Sequence, residues 1–460
     1  MGSKVIEKLR SAHTDRPRMA ALGMLAALLI GAQVSSAGSS DPFTIVLIPD
    51  SQGYADHKPG GVRSDLYWPN RFNEHVQWIA DNVASQNIAF VSHVGDVTQA
   101  LSPNINSEWT VAANAMNRLH VGNNPANAAL VPYSMACGNH DFDNKRWLSP
   151  DFGVDSNMHY GTSKWTSTFG PSRFSGQSWF GGSDMGFSYT YKNTIPGGPD
   201  LVRTGVGLST YQTFQGGGET YLHISLATGA PDGELAWAQT VIDAHPGVKT
   251  IVSTHSFLSG NGTKQDVYAA GRYYSEYKSS LGWPNGGRYQ TPGNSGQDIW
   301  DKFIKVNDEI FMVFCGHTGG QHTRIEQNAS GKDVVLMLFD RTHRRLSTDG
   351  VPGNNRNGAG WLRTLTFDPI SGNIHCQTYS TVLDEWGDNV GGDLLGDPTL
   401  HPDAYNDDCY DAGGNLINPN GLSDFIITRT GHIVPVPEPA SISLLAFGVC
   451  LALLRHRRTQ

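Results

Sequence analysis

Five apolar runs in this chain stop at a small residue or a turn, and each end displays acids, amides or imidazoles. Residues 43–49 (FTIVLIP) lead to Asp50 and Gln52, and residues 88–94 (IAFVSHV) to Gly95 and Asp96. Residues 131–137 (VPYSMAC) lead to Gly138, Asn139, His140 and Asp141. Residues 248–254 (VKTIVST) lead to His255, and residues 309–315 (EIFMVFC) to Gly316 and His317. Continuous apolar runs of this length are the mark of strands buried on both faces. In an open α/β sheet, ligands bind at the carboxyl ends of the strands. One such end alone reads as a polar turn, because Gly, Asn and Asp are ordinary turn residues. Five in succession point to one shared site.

Helical spacing fills the gaps between the runs. Phe72, Val76, Ile79, Ala80 and Val83 predict an amphipathic helix over 69–84. Trp109, Ala112, Ala113, Met116 and Leu119 predict a second. The resulting β-α-β-α-β order calls for a parallel sheet with right-handed crossovers. Residues 153–218 are rich in Gly, Ser, Trp and Tyr and read as an insertion of loops and short strands over the mouth of that sheet. Residues 220–227 resume the sheet. Leu235, Ala238, Val241 and Ile242 mark a helix, and 298–306 another. Successive β segments at 322–328, 333–339, 361–368 and 373–380 predict a second, more antiparallel sheet on the first. Residues 384–420 read as loop, and their acids lack the spacing of an EF-hand.

The chain has 460 residues, a formal net charge of −9, only 16% charged residues and no Lys/Arg block in its middle. Nucleic-acid binding is therefore not expected. The ends look like processing signals. Arg16 and Arg18 precede an apolar stretch that closes on Ser35 and Ala37, as in a secretory signal over 1–37 cleaved after Ala37; an uncleaved anchor is the competing reading. Pro437, Glu438 and Pro439 precede an apolar run over 440–454 and then Arg455, Arg457 and Arg458. This order resembles the PEP-CTERM sorting signal of Gram-negative bacteria, over 433–460. The resemblance implies export to the cell envelope or beyond, transient anchoring in the inner membrane and removal of the tail by an exosortase. A plain C-terminal membrane anchor leads to the same compartment. Exported chains can carry disulfides. Cys137 and Cys315 read as small buried residues, although converging strand ends would allow a bridge; Cys376 and Cys409 are the other candidate pair.

The series of strand ends resembles the calcineurin-like metallophosphoesterase family, whose pattern is D-x-H, G-D, G-N-H-[DE], H and G-H-x-H. The resemblance spans about 43–384, within a domain set at 42–384 and followed by an extension over 385–432. It includes the late GWLRTLTFDPISGNIHCQTYS (360–380) typical of one secreted or surface branch. It implies an α/β, four-layer α/β/β/α sandwich of two mixed sheets. The implied activity is hydrolysis of phosphomonoesters or phosphodiesters by hydroxide held on two divalent metal ions (Mn, Fe, Zn or Mg). Such sites hold the cations ~3.5–4 Å apart with oxygen ligands and imidazoles. On this resemblance Asp50 and Gln52 hold the first cation and Asp96 bridges. Asn139, His255 and His317 complete the second. His140 stands outside the metals, stabilising phosphoryl charge or protonating the leaving oxygen, and Asp141 orients His140.

Two departures fall on the first cation: Gln52 stands where the family commonly has His, and Gly319 where a second His is expected. Gln binds transition metals more weakly than imidazole does, which favours a harder ion such as Mn²⁺ or Mg²⁺. His322 follows the missing position closely and is a candidate replacement, the alternative being a solvated loop histidine. The same losses motivate a competing class, a catalytically weakened binding or structural module of the envelope or extracellular matrix. His93, on its buried run, reads as a hydrogen-bonded core residue. The sequence has neither a Ser nucleophile elbow nor a P-loop.

Overall fold

All six residues of Phe43–Ile48 are buried, as a strand covered on both faces requires, and they form β1. The computed structural model describes residues 40–55, 70–98, 106–147, 157–160, 162–191, 201–265, 293–341, 345–346, 356–357, 360–382, 384–387 and 422–436. Through α1 (Arg71–Asn82) the chain reaches β2 (Ile88–His93), parallel to β1. Through α2 (Asn106–Asn117) it reaches β3 (Tyr133–Met135), parallel to β2. A second sheet is then built from β4 (Phe180–Ser183), β5 (Thr210–Gly216) and β6 (Glu219–Ser225). It continues through α3 (Asp232–Ala244), β7 (Lys249–Ser253) and α4 (Gly296–Ile299) to β8 (Ile310–Cys315), β9 (Gly320–Gln327) and β10 (Asp333–Asp340). The chain returns to the first sheet as β11 (Trp361–Phe367), β12 (Ile374–Ser380), β13 (Asp424–Ile427) and β14 (Ile433–Pro435).

Among the described residues the first sheet runs β14-β13-β12-β11-β1-β2-β3 and the second β9-β10-β8-β7-β6-β5-β4. Both are mixed. β1 is parallel to β2 and antiparallel to β11, and β10 is parallel to β8 and antiparallel to β9. Alternation along each strand sends neighbours to opposite faces, and three apolar clusters record the result. Val46, Ile48 and Val91 meet Phe72, Val76 and Ile79 of α1 and Ala112 and Met116 of α2. Phe43, Ile45, Leu47 and Phe90 meet Phe214, Ile251, Met312 and Met337 between the sheets. Leu222, Val252 and Val313 meet Leu235, Ala238 and Ile242 of α3 and Ile299. The layers are therefore α/β/β/α. Each such side chain contributes about 1.5–3 kcal/mol on burial, so the strand ends above these faces are held on a rigid base. Arg363 of β11 adds a buried polar link, donating to Gln321 of β9 at 2.7 Å across the two sheets.

The sequence misassigns several strands. Residues 220–227 belong to the second sheet, because β6 pairs with β5 and β7. The late β segments do not form one sheet: β9 and β10 lie in the second, β11 and β12 in the first. The span read as an insertion supplies β4 and β5, and its Trp165, Phe169 and Phe174 fill the core beneath α2. Buried Thr210 and Gln212 hide the strand character of β5. The expected helix over 298–306 is one α-helical turn followed by a π-helical turn, Trp300–Ile304. β14 lies inside the span assigned to the sorting signal, since Ile433–Pro435 pairs with β13, whose Phe425 and Ile427 face the core. Cys137, Cys315 and Cys376 are buried free thiols. Cys409, the proposed leader over 1–37 and the apolar tail lie outside the described residues. Among the described residues no helix is long and apolar enough to cross a membrane.

Candidate metal centre

The parallel strands β1, β2 and β3 of the first sheet and β7 and β8 of the second lead into the residues of the cluster, and the side chains displayed at their carboxyl ends converge. Asp96, His255 and His317 form a group able to hold a metal ion. His255 Nε2 lies 3.2 Å from Asp96 Oδ2, 2.9 Å from Asn139 Oδ1 and 3.2 Å from His317 Nδ1. His317 Nδ1 lies 3.0 Å from the same Asn139 oxygen. Asp50 stands beside them. Its Oδ2 accepts the His317 backbone N–H at 3.0 Å, and its Oδ1 is 3.7 Å from His255 Nδ1.

Backbone and tautomer both aim these atoms inward. His255 donates Nδ1–H to the Val94 carbonyl at 3.0 Å. The neutral ring then turns its Nε2 lone pair toward an amide oxygen, a carboxylate oxygen and a second imidazole nitrogen. Lone pairs at these separations repel unless a proton or a cation lies among them. Asp96 (φ 49°) and His317 (φ 70°) both hold left-handed backbone conformations, strain of the kind that collects at functional sites. Three glycines clear the way. A Cβ on Gly95 would strike the His255 ring, one on Gly138 the Asp96 backbone and carboxylate, and one on Gly316 the Asp50 carboxylate, all well inside 3.0 Å. Each strand end thus leaves room for a donor from a different strand end.

Charge balance points the same way. Burial, then Asp340 and Asp96, push the Asp50 carboxyl well above its ordinary range. Burial is the largest single influence on His255 and works against protonating it, but the Asp96 charge and hydrogen bond, the Val94 carbonyl and the Asp141 charge together outweigh it and raise this imidazole above its usual value. Both shifts express one demand, for positive charge among buried acids. Two imidazole nitrogens, an amide oxygen and a carboxylate are a donor set that fits a divalent transition metal.

His140 and Asp141 share the 3₁₀ turn Asn139–Asp141 but do different work. The His140 N–H donates to Asp96 Oδ1 at 2.7 Å, and its ring Nε2 lies 3.9 Å from Asp96 Oδ2 with the side chain 19% exposed. The resemblance assigns Asp141 to orienting His140, and here the structure differs. The Asp141 oxygens accept backbone N–H groups, Oδ1 from Val97 (2.9 Å) and Thr98 (3.1 Å), Oδ2 from Gly138 (2.8 Å). Those amides occupy the carboxylate, so Asp141 clamps the Asp96 loop to the Asn139 loop. Burial and the Asp96 charge push its pKa up to about 7 against these three amides.

Gln52 is buried in the turn after β1. His322 lies on β9, buried against the backbone of Gly262, and burial lowers its pKa to about 4. It is neither a solvated loop residue nor turned into the cluster. His93 accepts the Gly95 N–H at Nδ1 and meets Ser51 Oγ through Nε2 at 2.9 Å, tying the first two strand ends together. Sequence reasoning missed Asp340. It ends β10, is buried, and its charge helps to raise the Asp50 carboxyl. The run VVLMLFD carried the same signal as the other five ends.

No family model matches the chain. It is 24% identical over 342 residues to the uncharacterized protein YvnB of Bacillus subtilis (strain 168). That match takes in 74% of this chain and 20% of YvnB, so the chain spans about a fifth of its curated relative. Similar solved structures include a purple acid phosphatase from yellow lupin (Lupinus luteus) seeds, at 14% identity and TM-score 0.38, covering 76% of this chain and 53% of that one. A dimetal phosphatase from Danio rerio gives 12% identity and TM-score 0.34, covering 74% and 98%. A 5'-nucleotidase from Candida albicans gives 13% and 0.35, covering 74% and 52%. By its own layers and side chains, the chain is a two-sheet α/β sandwich with a metal-capable cluster at its strand ends.

Proposed function

We propose that this chain is a metal-dependent phosphoesterase acting on phosphomonoesters or phosphodiesters. The observation that carries the reading is the meeting of His255 Nε2, His317 Nδ1, Asn139 Oδ1 and Asp96 Oδ2, from four strand ends far apart along the chain. Asp96, Asn139, His255 and His317 would hold one divalent cation, and Asp50, Gln52 and Asp96 a second. When bound, the cations supply Lewis acidity to phosphoryl oxygens and lower the pKa of a water. The chain's own part is to position and to move a proton. His140, partly exposed beside Asp96, faces the substrate and protonates the leaving oxygen. Asp96 keeps His140 in place through the His140 N–H, and Asp141 fixes the two loops that carry them. The test is hydrolysis of aryl mono- and diesters with Mn²⁺, Zn²⁺, Fe²⁺ or Mg²⁺ in turn. Turnover that needs a metal and is abolished in Asp96→Asn supports the assignment; full turnover by that variant contradicts it.

A weakened binding module is the second reading, favoured by Gln52 and Gly319 in place of imidazoles. Slow or absent turnover with a single bound metal would select it. Export, transient anchoring and exosortase processing belong to the same proposal and rest on the leader over 1–37 and the Pro437–Arg458 pattern.

A further inference from the structure

The turn that carries Asp96 is held by two side chains that the metal-dependent reading leaves unused. Asp96 is left-handed (φ 49°) directly after Gly95 (φ 108°), and such strain persists only where the surroundings over-determine it. The first hold is His93. Its Nδ1 accepts the Gly95 N–H at 3.1 Å, so the ring carries its proton on Nε2. That Nε2–H donates to Ser51 Oγ at 2.9 Å. The Ser51 hydroxyl passes its own proton on, donating to the Val97 carbonyl at 3.1 Å. The Ser51 N–H donates to the Asp96 carbonyl, also at 3.1 Å. Ser51 follows Asp50 directly, so one relay joins the backbones beneath both carboxylates. Ser51 and His93 are both 0% exposed, so solvent does not compete for these bonds. Phe72 of α1 packs edge-on against the His93 ring, with centroids 5.5 Å apart.

We propose that Ser51 and His93 are positioning residues that set the Asp96 carboxylate against the Asp50 carboxylate before any cation arrives. The inference rests on the metal-dependent reading above and deepens it. Both side chains act through backbone: His93 fixes the Gly95 amide, and Ser51 fixes the Asp96 and Val97 carbonyls. A carboxylate that serves two cations must be placed against both at once, and a displacement of about 1 Å in such a site is costly. Asp141 holds the same turn from the other side, through the Val97 and Thr98 N–H groups. The turn is thereby clamped from two directions, and the Ser51–His93 side ties it to the Asp50 backbone.

The test is binding of Mn²⁺ and of Zn²⁺ to the chelator-stripped full chain, followed by calorimetry, in wild type, Ser51→Ala, His93→Asn and the double variant. An amide at position 93 can still accept the Gly95 N–H, as in an Asx-turn, but is too short to reach Ser51. Each single variant is expected to bind metal about 10–100-fold more weakly, the loss typical when a group supporting a metal ligand is removed. The double variant should lose little more, because the two side chains act as one unit. Ile242→Val, in the apolar layer beneath α3, loosens the fold away from the turn and should bind metal as wild type does; thermal unfolding of the metal-free proteins puts all variants on one stability scale. In metal-free wild type, ring nitrogen NMR should show His93 as the neutral Nε2–H tautomer, with a signal that moves in Ser51→Ala. Wild-type affinity in either single variant would overturn the inference and leave the metal-dependent reading standing. So would additive losses in the double variant, an equal loss in Ile242→Val, or a His93 ring protonated on Nδ1. Neither metal bound by wild type would overturn both readings.

Discussion

Gly138 lies so close to Asp96 that a Cβ on it would overlap the Asp96 amide nitrogen and carboxylate. Its own backbone is extended (φ −89°, ψ 179°), so the position needs glycine for clearance and not for conformation. Gly138→Ala would push against backbone that cannot swing aside. Overpacking of this kind costs about 1–3 kcal/mol. The expected outcome is a lower Tm together with weaker metal binding, measured by thermal unfolding and calorimetry on the same preparation. An alanine variant with both unchanged would contradict the interlocked arrangement.

Asp141→Asn tests the clamp. The carboxylate accepts three backbone N–H groups, whereas an amide offers one oxygen and sets an NH₂ against at least one of them. Leaving a buried donor unsatisfied costs about 1–3 kcal/mol, so global stability should fall by that amount in urea unfolding. Had Asp141 only oriented His140, stability would stay level.

His140→Ala is expected to lose activity according to the leaving group. With an alkyl ester, whose leaving oxygen needs a proton, kcat should fall on the order of 10²–10⁴-fold. With a nitrophenyl ester the loss should be much smaller. Metal content should not change, because the ring stands beside the cluster. Equal losses with both esters would remove the proton-donor role.

Away from the cluster, Asp184 and Glu234 form a second buried acid pair. Ser209 donates its hydroxyl to Glu234 at 2.5 Å and its N–H to Asp184 at 3.2 Å. Burial, then the Asp184 charge, raise Glu234 to about 8, and burial raises Asp184 to about 6 against several backbone amides. In the unfolded chain both acids lose their protons near pH ~4. Between there and about pH 8 the folded state holds more protons, so stability is highest at the acid side and falls as pH rises through this window. Tm of the wild type should be lower at about pH 8.5 than at about pH 6, and Glu234→Gln should flatten that difference. An identical pH profile in the variant would contradict the assignment.

Much of the site was legible because each donor follows an apolar run and a glycine or turn. Asp96, Asn139, His255 and His317 could be named without knowing how the strands are ordered, because each follows the carboxyl end of an apolar run, although they come from two different sheets. The partition into two sheets was not legible. β6 and β2 have the same buried character, and only pairing partners far along the chain decide which sheet each joins. The β5 strand was hidden by polar residues that become buried, Thr210 and Gln212. Asp340 was missed for a different reason. Its strand end has the same form as the others, but it lies outside the family pattern. The role of Asp141 depends on which N–H groups face it, and spacing along the chain carries no such information.

The most direct measurement is anomalous diffraction from a crystal of the full chain loaded with Zn²⁺ or Mn²⁺. The account predicts a strong peak in contact with His255 Nε2, His317 Nδ1, Asn139 Oδ1 and Asp96. A cation bound elsewhere, with these four atoms holding only protons and solvent, would contradict it.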